Sequence, residues 1–211
     1  MPANDYHFIT RWRVRGTTTG VADVISDAEG LPRWWPAVYL DVRELEPGEP
    51  SGVGKVIDLY TRGWLPYTLR WRFQVTESDY PTNLAIEASG DFNGTGRWSF
   101  AEDGDFTDVT YDWRIRANKP LLRHLSWLMK PVFSANHRWA MARGRESLEL
   151  ELARRTAPTL EERLAVPSPP GPAPSGRLLL ATAAVVATAA TVFTMRFRRS
   201  SPWPRMQAPR P

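Results

Sequence analysis

The chain has 211 residues, and its apolar and charged fractions of 42% and 24% are ordinary for a globular protein. It contains no cysteine, which excludes disulfides, thiolate nucleophiles and cysteine-ligated metals. The formal net charge of +4 belongs to the tail, because residues 156–211 hold seven arginines and only two glutamates, and residues 1–155 therefore sum to about −1. A nucleic-acid footprint requires clustered positive charge, so the sequence predicts no nucleic-acid partner for residues 1–155.

Alternation of apolar and polar residues predicts an antiparallel sheet. A first strand is expected at 6–15, followed by a helical piece at 17–27 and a turn or short helix that holds a tryptophan pair. Further strands are then expected at 37–46, 53–62, 66–78, 82–91, 94–101 and 106–117.

The clearest alternation is LRWRFQV, in which Leu69, Trp71, Phe73 and Val75 share one face. The dipeptides Asn93-Gly94 and Asp103-Gly104 are typical of hairpin turns, and we expect a turn at each.

One long helix is predicted from about 120 to 154, with Pro131 as a point where it can bend. Every predicted strand is apolar on one face only, so the sheet needs a single cover, and this helix is the only element large enough. The sequence therefore predicts an α+β fold in which a curved antiparallel sheet of about seven strands wraps around a long C-terminal helix.

Beyond this domain at 1–155, the chain changes composition. Residues 156–177 are rich in proline, alanine and serine and predict an extended, semi-rigid linker. Residues 178–195 form an uncharged apolar run that at 1.5 Å per residue reaches about 27 Å, enough for a thin membrane, and residues 196–211 form a basic Pro/Arg tail.

The run at 178–195 is interpreted as a transmembrane anchor, with a surface-lying helix, a soluble helix and disorder as alternatives. The N-terminus lacks the pattern of a signal peptide, so the domain is expected in the cytoplasm, associated with a membrane. The arginine excess on the C-terminal side of the run conflicts with that orientation under the positive-inside rule, and the topology stays open.

The element order resembles the helix-grip fold of the START / Bet v 1-like superfamily, and within it the polyketide cyclase/dehydrase and lipid-transport group. The resemblance covers residues 6–154 and is carried by LPRWWPAV at 31–38, GTGRWSF at 94–100 and NHRWAMARGRESLELEL at 136–152. It implies a hydrophobic ligand held between helix and sheet, and in some members cyclisation of aromatic polyketides.

Indole rings make rigid cavity walls and equally fill a core, so both interpretations stay open for the strand tryptophans Trp71, Trp98 and Trp113. Of the adjacent Trp34 and Trp35, one is expected to plug the end of the core while the other lines the entrance or packs on the surface. Trp64, in the strand connection GWLPY, is either a gate or membrane-touching residue or a ring folded over its hairpin.

On the terminal helix, a stripe at three-or-four spacing predicts which residues face the sheet: Leu125, Leu128, Val132, Asn136, Trp139 and Arg143. Phe133 and Met141 flank it. A buried Asn136 or Arg143 needs a polar partner, which a ligand oxygen, a backbone carbonyl or a carboxylate would each provide. The candidate ligand-binding residues are therefore Trp34, Trp35, Trp64, Trp71, Trp98, Trp113, Phe133, Asn136, Trp139 and Arg143.

Three functions are compatible with the sequence. The first is a non-catalytic carrier or sensor of a lipid, quinone, isoprenoid or polyketide. The second is a cyclase-like enzyme that uses Asn136, His137 or Arg143, and the third is an anchored interaction module with a filled core. Histidines 7, 124 and 137 lack metal-ligand spacing and are expected at the surface or satisfied by hydrogen bonds; no cofactor, metal or catalytic motif is predicted.

Overall fold

A computed structural model describes residues 4–118 and 120–173, with the side chains of 4–118 and 130–173. The elements in chain order are β1 (Asp5–Arg15), α1 (Thr18–Ser26), α2 (Leu31–Trp34), β2 (Tyr39–Glu46), β3 (Val56–Arg62), β4 (Thr68–Asp79), β5 (Asn83–Gly90), β6 (Phe92–Asp103), β7 (Phe106–Ala117), α3 (Pro120–Thr156) and α4 (Leu160–Ala165).

All seven strands join one antiparallel sheet in the order β1-β7-β6-β5-β4-β3-β2. The α+β helix-grip prediction is confirmed, and so is the alternation in β4, where Trp71 and Val75 are buried while Arg70, Arg72 and Gln74 are exposed. The turn predicted at Asp103-Gly104 is also confirmed, because β6 ends at Asp103 and Gly104 has a φ of 60°.

The turn predicted at Asn93-Gly94 is wrong. Both residues lie inside β6, and the chain instead reverses at Gly90, whose φ is 123°. Glycine at position 94 serves a close strand approach: a Cβ there would lie 2.0 Å from the Arg114 carbonyl oxygen. Glycine is thus required at position 94 by close packing between strands and not by a turn.

Helix α3 covers the concave face, but its inward stripe differs from the prediction by about one residue. In the described half of the helix the side that faces the sheet includes His137, Met141, Leu148 and Leu152. One residue is a rotation of about 100° on a helix, so the predicted inward orientation of Arg143 is wrong. Its side chain is 42% exposed and pairs with Glu146 at 2.7 Å.

The tryptophan pair ends the single-turn helix α2. Trp34 is 1% exposed and Trp35 is 4% exposed, so the prediction that one of them would line the entrance or lie at the surface is wrong. Both rings are held in the core by other rings: Trp34 and Trp35 lie with centroids 5.5 Å apart, and Trp35 also packs on Trp12 and Tyr39.

The segment predicted as a linker is partly regular, because α4 lies within it, whereas residues 166–173 contain no helix or strand. The predicted anchor at 178–195 lies outside the described residues. Among the helices that are described, none is long and apolar enough to cross a membrane.

Candidate functional site

Two cavities lie on the concave side of the sheet, one beneath α3 and the other beneath the segment that holds α1 and α2. The first, which we call the Arg62 cavity, has a volume of about 170 Å³ and opens near the β3–β4 connection. The second, the Lys55 cavity, has a volume of about 420 Å³ and opens near the β2–β3 loop and the β4–β5 turn. The interior of the domain is therefore hollow at two places.

Five side chains form a wall common to both cavities: Trp35, Tyr39, Trp71, Tyr111 and Met141. Within this wall Trp35 and Tyr39 are in contact, with ring centroids 5.2 Å apart, and Trp113 of the Arg62 cavity lies 5.5 Å from Tyr111 and 5.8 Å from Trp71. Burial raises the pKa of the Tyr39 and Tyr111 hydroxyls above their ordinary value, so the phenols are neutral at physiological pH.

The candidate residues divide into two groups. Seven line a cavity: Trp34 and Trp98 in the Lys55 cavity, Trp113, Phe133 and Asn136 in the Arg62 cavity, and Trp35 and Trp71 in both. Neither cavity lining contains Trp64, Trp139 or Arg143. Trp139 packs against the hydrophobic core from its edge, and Trp64 is half-buried in the β3–β4 connection.

Asn136 holds the β3–β4 connection in place. Its Oδ1 accepts hydrogen bonds from the backbone N–H groups of Trp64 at 2.9 Å and Leu65 at 3.3 Å. The sequence left a ligand oxygen, a backbone carbonyl or a carboxylate open as partners, but the observed partners of this oxygen are backbone N–H groups. Gly63 makes the approach possible, because a Cβ there would lie 2.1 Å from Oδ1.

Several wall residues were not among the candidates, including Tyr6, Phe8, Tyr39, Arg62, Tyr67 and Tyr111. Tyr111 shares the apolar face of β7 with Trp113, so its alternation gave a signal that the candidate set did not use. The sequence carries no such signal for Arg62. This residue is the last one of β3, and only the path of the following loop brings it to the cavity mouth.

His137 lies in the wall of the Arg62 cavity, stacked on Phe8 with ring centroids 4.1 Å apart. Its Nε2 is buried and has no hydrogen-bond partner among the described residues, so the expectation of a surface or hydrogen-bonded histidine is wrong here. Burial, assisted by the charge of Arg138, lowers the pKa of His137 to about 4. The imidazole is therefore neutral at physiological pH.

This burial predicts a pH dependence of stability. The pKa of His137 is lower in the folded chain than in the unfolded chain. The stability that depends on a neutral imidazole is therefore fully present above pH 6.5 and is lost as the pH falls from about 6.5 to about 4, because the unfolded chain binds the proton first. The loss is about 3 kcal/mol at 1.36 kcal/mol per pKa unit. Urea unfolding at pH 7 and pH 4 measures it.

The control is His137→Leu, which removes the titrating ring and keeps an apolar side chain. We expect its stability to fall less than the wild-type stability over this window. Parallel profiles for the two proteins would contradict the assignment.

Among the described residues, no group of three or more histidine, aspartate or glutamate side chains is arranged to hold a metal ion. His7 is at the surface, where its Nε2 lies 3.0 Å from Asp112 Oδ1. The site is therefore a pair of aromatic-walled cavities with few polar groups.

A curved sheet gripping a helix over an internal aromatic cavity defines a helix-grip protein of the START / Bet v 1-like class. The chain belongs to the family described as polyketide cyclase / dehydrase and lipid transport, whose model matches residues 10–152.

Solved structures share this fold. A protein of Thermus thermophilus matches with a TM-score of 0.59 and 17% identity, over 72% of this chain and 100% of the other. The Zhui aromatase/cyclase from a Streptomyces species matches with a TM-score of 0.57 and 16% identity, over 73% and 97%. The di-domain aromatase/cyclase BexL matches with a TM-score of 0.53 and 17% identity, over 70% of this chain and 50% of its own.

At these identities the likenesses establish the fold alone. No curated protein matches this sequence.

Proposed function

We propose that this protein binds a hydrophobic small molecule, of the size of a lipid, quinone or polyketide fragment, in its internal cavities and acts as a carrier or sensor of it. The observation that carries the proposal is the pair of cavities of about 170 and 420 Å³ joined by a common aromatic wall. Apolar area moved from water into such a space contributes roughly 25 cal/mol per Å². A filled-core interaction module would not need these spaces.

The polar groups at the cavity walls are few, and some of them are taken by the protein itself, whereas the buried Nε1 atoms of Trp34 and Trp35 and the Nε2 atom of His137 have no hydrogen-bond partner among the described residues. Trp71 donates its Nε1–H to Thr61 Oγ1 at 3.1 Å, and Asn136 Oδ1 is occupied by the backbone. A ligand that is largely apolar, with one or two oxygens, matches this wall better than a charged one.

Probe binding tests the proposal. Titration with the apolar dye Nile red should give saturable fluorescence, and filling a cavity should weaken it. Ala140 lines the Arg62 cavity and Ser78 lines the Lys55 cavity, so we expect Ala140→Phe or Ser78→Phe to weaken binding about tenfold, or about 1.4 kcal/mol.

The matched control is Ala142→Phe, because Ala142 lies on the same helix and is exposed. It should leave dye affinity unchanged. A wild-type chain that does not bind the dye, or equal affinities in all four proteins, would count against an internal binding site.

A second candidate function is a cyclase-like activity, favoured by membership of the family together with a neutral His137 in the cavity wall. In this case His137→Gln would lower turnover of a cyclising poly-keto substrate and keep Nile red affinity. Of the residues considered for such chemistry, Arg143 is outside both cavity linings.

The membrane tether remains part of the proposal. Residues 178–195 contain no charged residue, and arginines flank the run on both sides. We infer that this segment holds the domain at a membrane, where an apolar ligand would be taken up or delivered.

A further inference from the structure

Residues 166–173, which we call the strap, contain no helix or strand and return to the domain after α4. Half-buried positions occur at 166, 169, 170 and 173, whereas 167, 168, 171 and 172 are exposed. The proline-rich composition VPSPPGPA favours a polyproline II backbone for this segment. One side of the strap therefore packs on the domain.

Arginine side chains hold the strap near both of its ends. Arg154, near the C-terminal end of α3, donates from Nη2 to the Pro167 carbonyl oxygen at 2.9 Å. Arg62 donates from Nη2 to the Ala173 carbonyl oxygen at 2.8 Å. The strap thus runs from the end of α3 back to the end of β3, and its last residue is bonded to a residue of the Arg62 cavity wall.

This path fixes where the rest of the chain leaves the domain. Only residues 174–177 separate Ala173 from the apolar run that begins at Leu178. Five residue steps of a fully extended chain reach at most about 18 Å. A membrane that takes up residues 178–195 is therefore held within this distance of the Arg62 contact.

We propose that the strap turns the mouth of the Arg62 cavity toward a lipid bilayer, so that this mouth, and not that of the Lys55 cavity, is the membrane-facing entrance. The inference rests on the proposed membrane tether and deepens the proposed function. The β3–β4 connection at this mouth carries half-buried Trp64 and Leu65 and exposed Pro66, an apolar rim that suits a lipid surface.

The absence of native cysteine makes a site-specific test direct. Pro66→Cys places a label at the Arg62 mouth, and Ser51→Cys places one at the Lys55 mouth; both positions are exposed. Each full-length variant is labelled with NBD and reconstituted into phosphatidylcholine/phosphatidylglycerol vesicles that contain nitroxide-labelled lipids. We expect loss of most fluorescence at position 66 and little loss at position 51.

The control lengthens the tether without touching the domain. An insertion of about 30 glycine and serine residues between Gly176 and Arg177 has an r.m.s. span of roughly 30 Å and should abolish the difference between the two labels. Equal quenching at both positions without the insertion, stronger quenching at position 51, or a chain that does not float with vesicles would each overturn the proposal. The Nile red titration described above, with its cavity-filling variants, reports ligand binding separately, so the two proposals fail independently.

Discussion

The substitution Glu151→Gln is expected to lower the free energy of unfolding by about 3 kcal/mol. Glu151 lies on the inner side of α3 and is 2% exposed. Its carboxylate accepts hydrogen bonds from three arginines: Arg33 at 2.7 Å, Arg155 at 2.9 Å and Arg154 at 3.0 Å. A neutral amide removes the charge that holds these guanidinium groups and leaves an N–H₂ group facing donors.

The matched control is Glu149→Gln on the same helix. Glu149 is exposed and pairs only with Arg145 at 3.4 Å, so its loss should cost less than about 0.5 kcal/mol. Denaturant unfolding of the three proteins gives both values. Similar stabilities for the two variants would show that the Glu151 network contributes no more than a surface ion pair.

The network also has a defined pH dependence. Burial tends to raise the pKa of Glu151, but the hydrogen bonds from Arg155, Arg33 and Arg154 outweigh it and lower the pKa overall. The contribution of the charged Glu151 to the free energy of unfolding is thus present above the pKa of the unfolded chain. It is lost as the pH falls through the lower pKa of the folded chain. In the Glu151→Gln variant, the dependence of stability on pH should lack this loss at acid pH.

The substitution Gly144→Ala is expected to destabilise the protein by about 1–3 kcal/mol. In the interior of a helix, glycine to alanine normally stabilises by about 1 kcal/mol, so the predicted sign is reversed. The reason is Trp35: a Cβ at position 144 would lie 2.2 Å from its Cζ2 and 2.6 Å from Cε2 and Cη2. A rigid ring that is 4% exposed has little room to move away.

A double-mutant cycle isolates this contact. The three atoms belong to the six-membered part of the indole that phenylalanine does not reproduce, so Gly144→Ala should become neutral or stabilising in a Trp35→Phe background. Thermal or urea unfolding of the four proteins completes the cycle. The same destabilisation in both backgrounds would mean that the cost arises elsewhere.

The sheet was predictable because one buried face imposes strict alternation on each strand. Trp71 and Val75 lie where this period placed them, and Val109, Tyr111 and Trp113 are buried with the same period in β7. The proline-rich composition indicated a linker, but composition carries no information about whether the chain packs back on the domain. The contact of Ala173 depends on Arg62, which is 111 residues away in sequence, and that of Pro167 on Arg154, which is 13 residues away.

The helix was less predictable in detail. Its length and role follow from periodicity, but the predicted stripe through Trp139 and the flanking Met141 indicate two different rotations of the helix, and the side chains of the sheet select one. In the structure, α3 is rotated so that Gly144 lies against the Trp35 ring, where a Cβ would have no room. The sequence contains that glycine without any sign of its partner, so the inward set that included Arg143 was chosen instead of the observed one.

The cavities themselves were not predictable from pattern. Whether rings interlock or leave space depends on contacts such as Trp98 stacked on Tyr111 at a centroid separation of 3.9 Å, which join residues on two strands. Periodicity identifies the face on which each ring lies, and packing between strands determines the space that remains.

The common wall limits how the interior can be redesigned. Because Trp35, Tyr39, Trp71, Tyr111 and Met141 border both cavities, a substitution at any of them alters two chambers at once. Phe133 and Ser78 each border only one of the two. The ligand preference of one cavity can therefore be changed separately only through residues that border that cavity alone. A substitution in the common wall would have to be compatible with the ligands of both cavities.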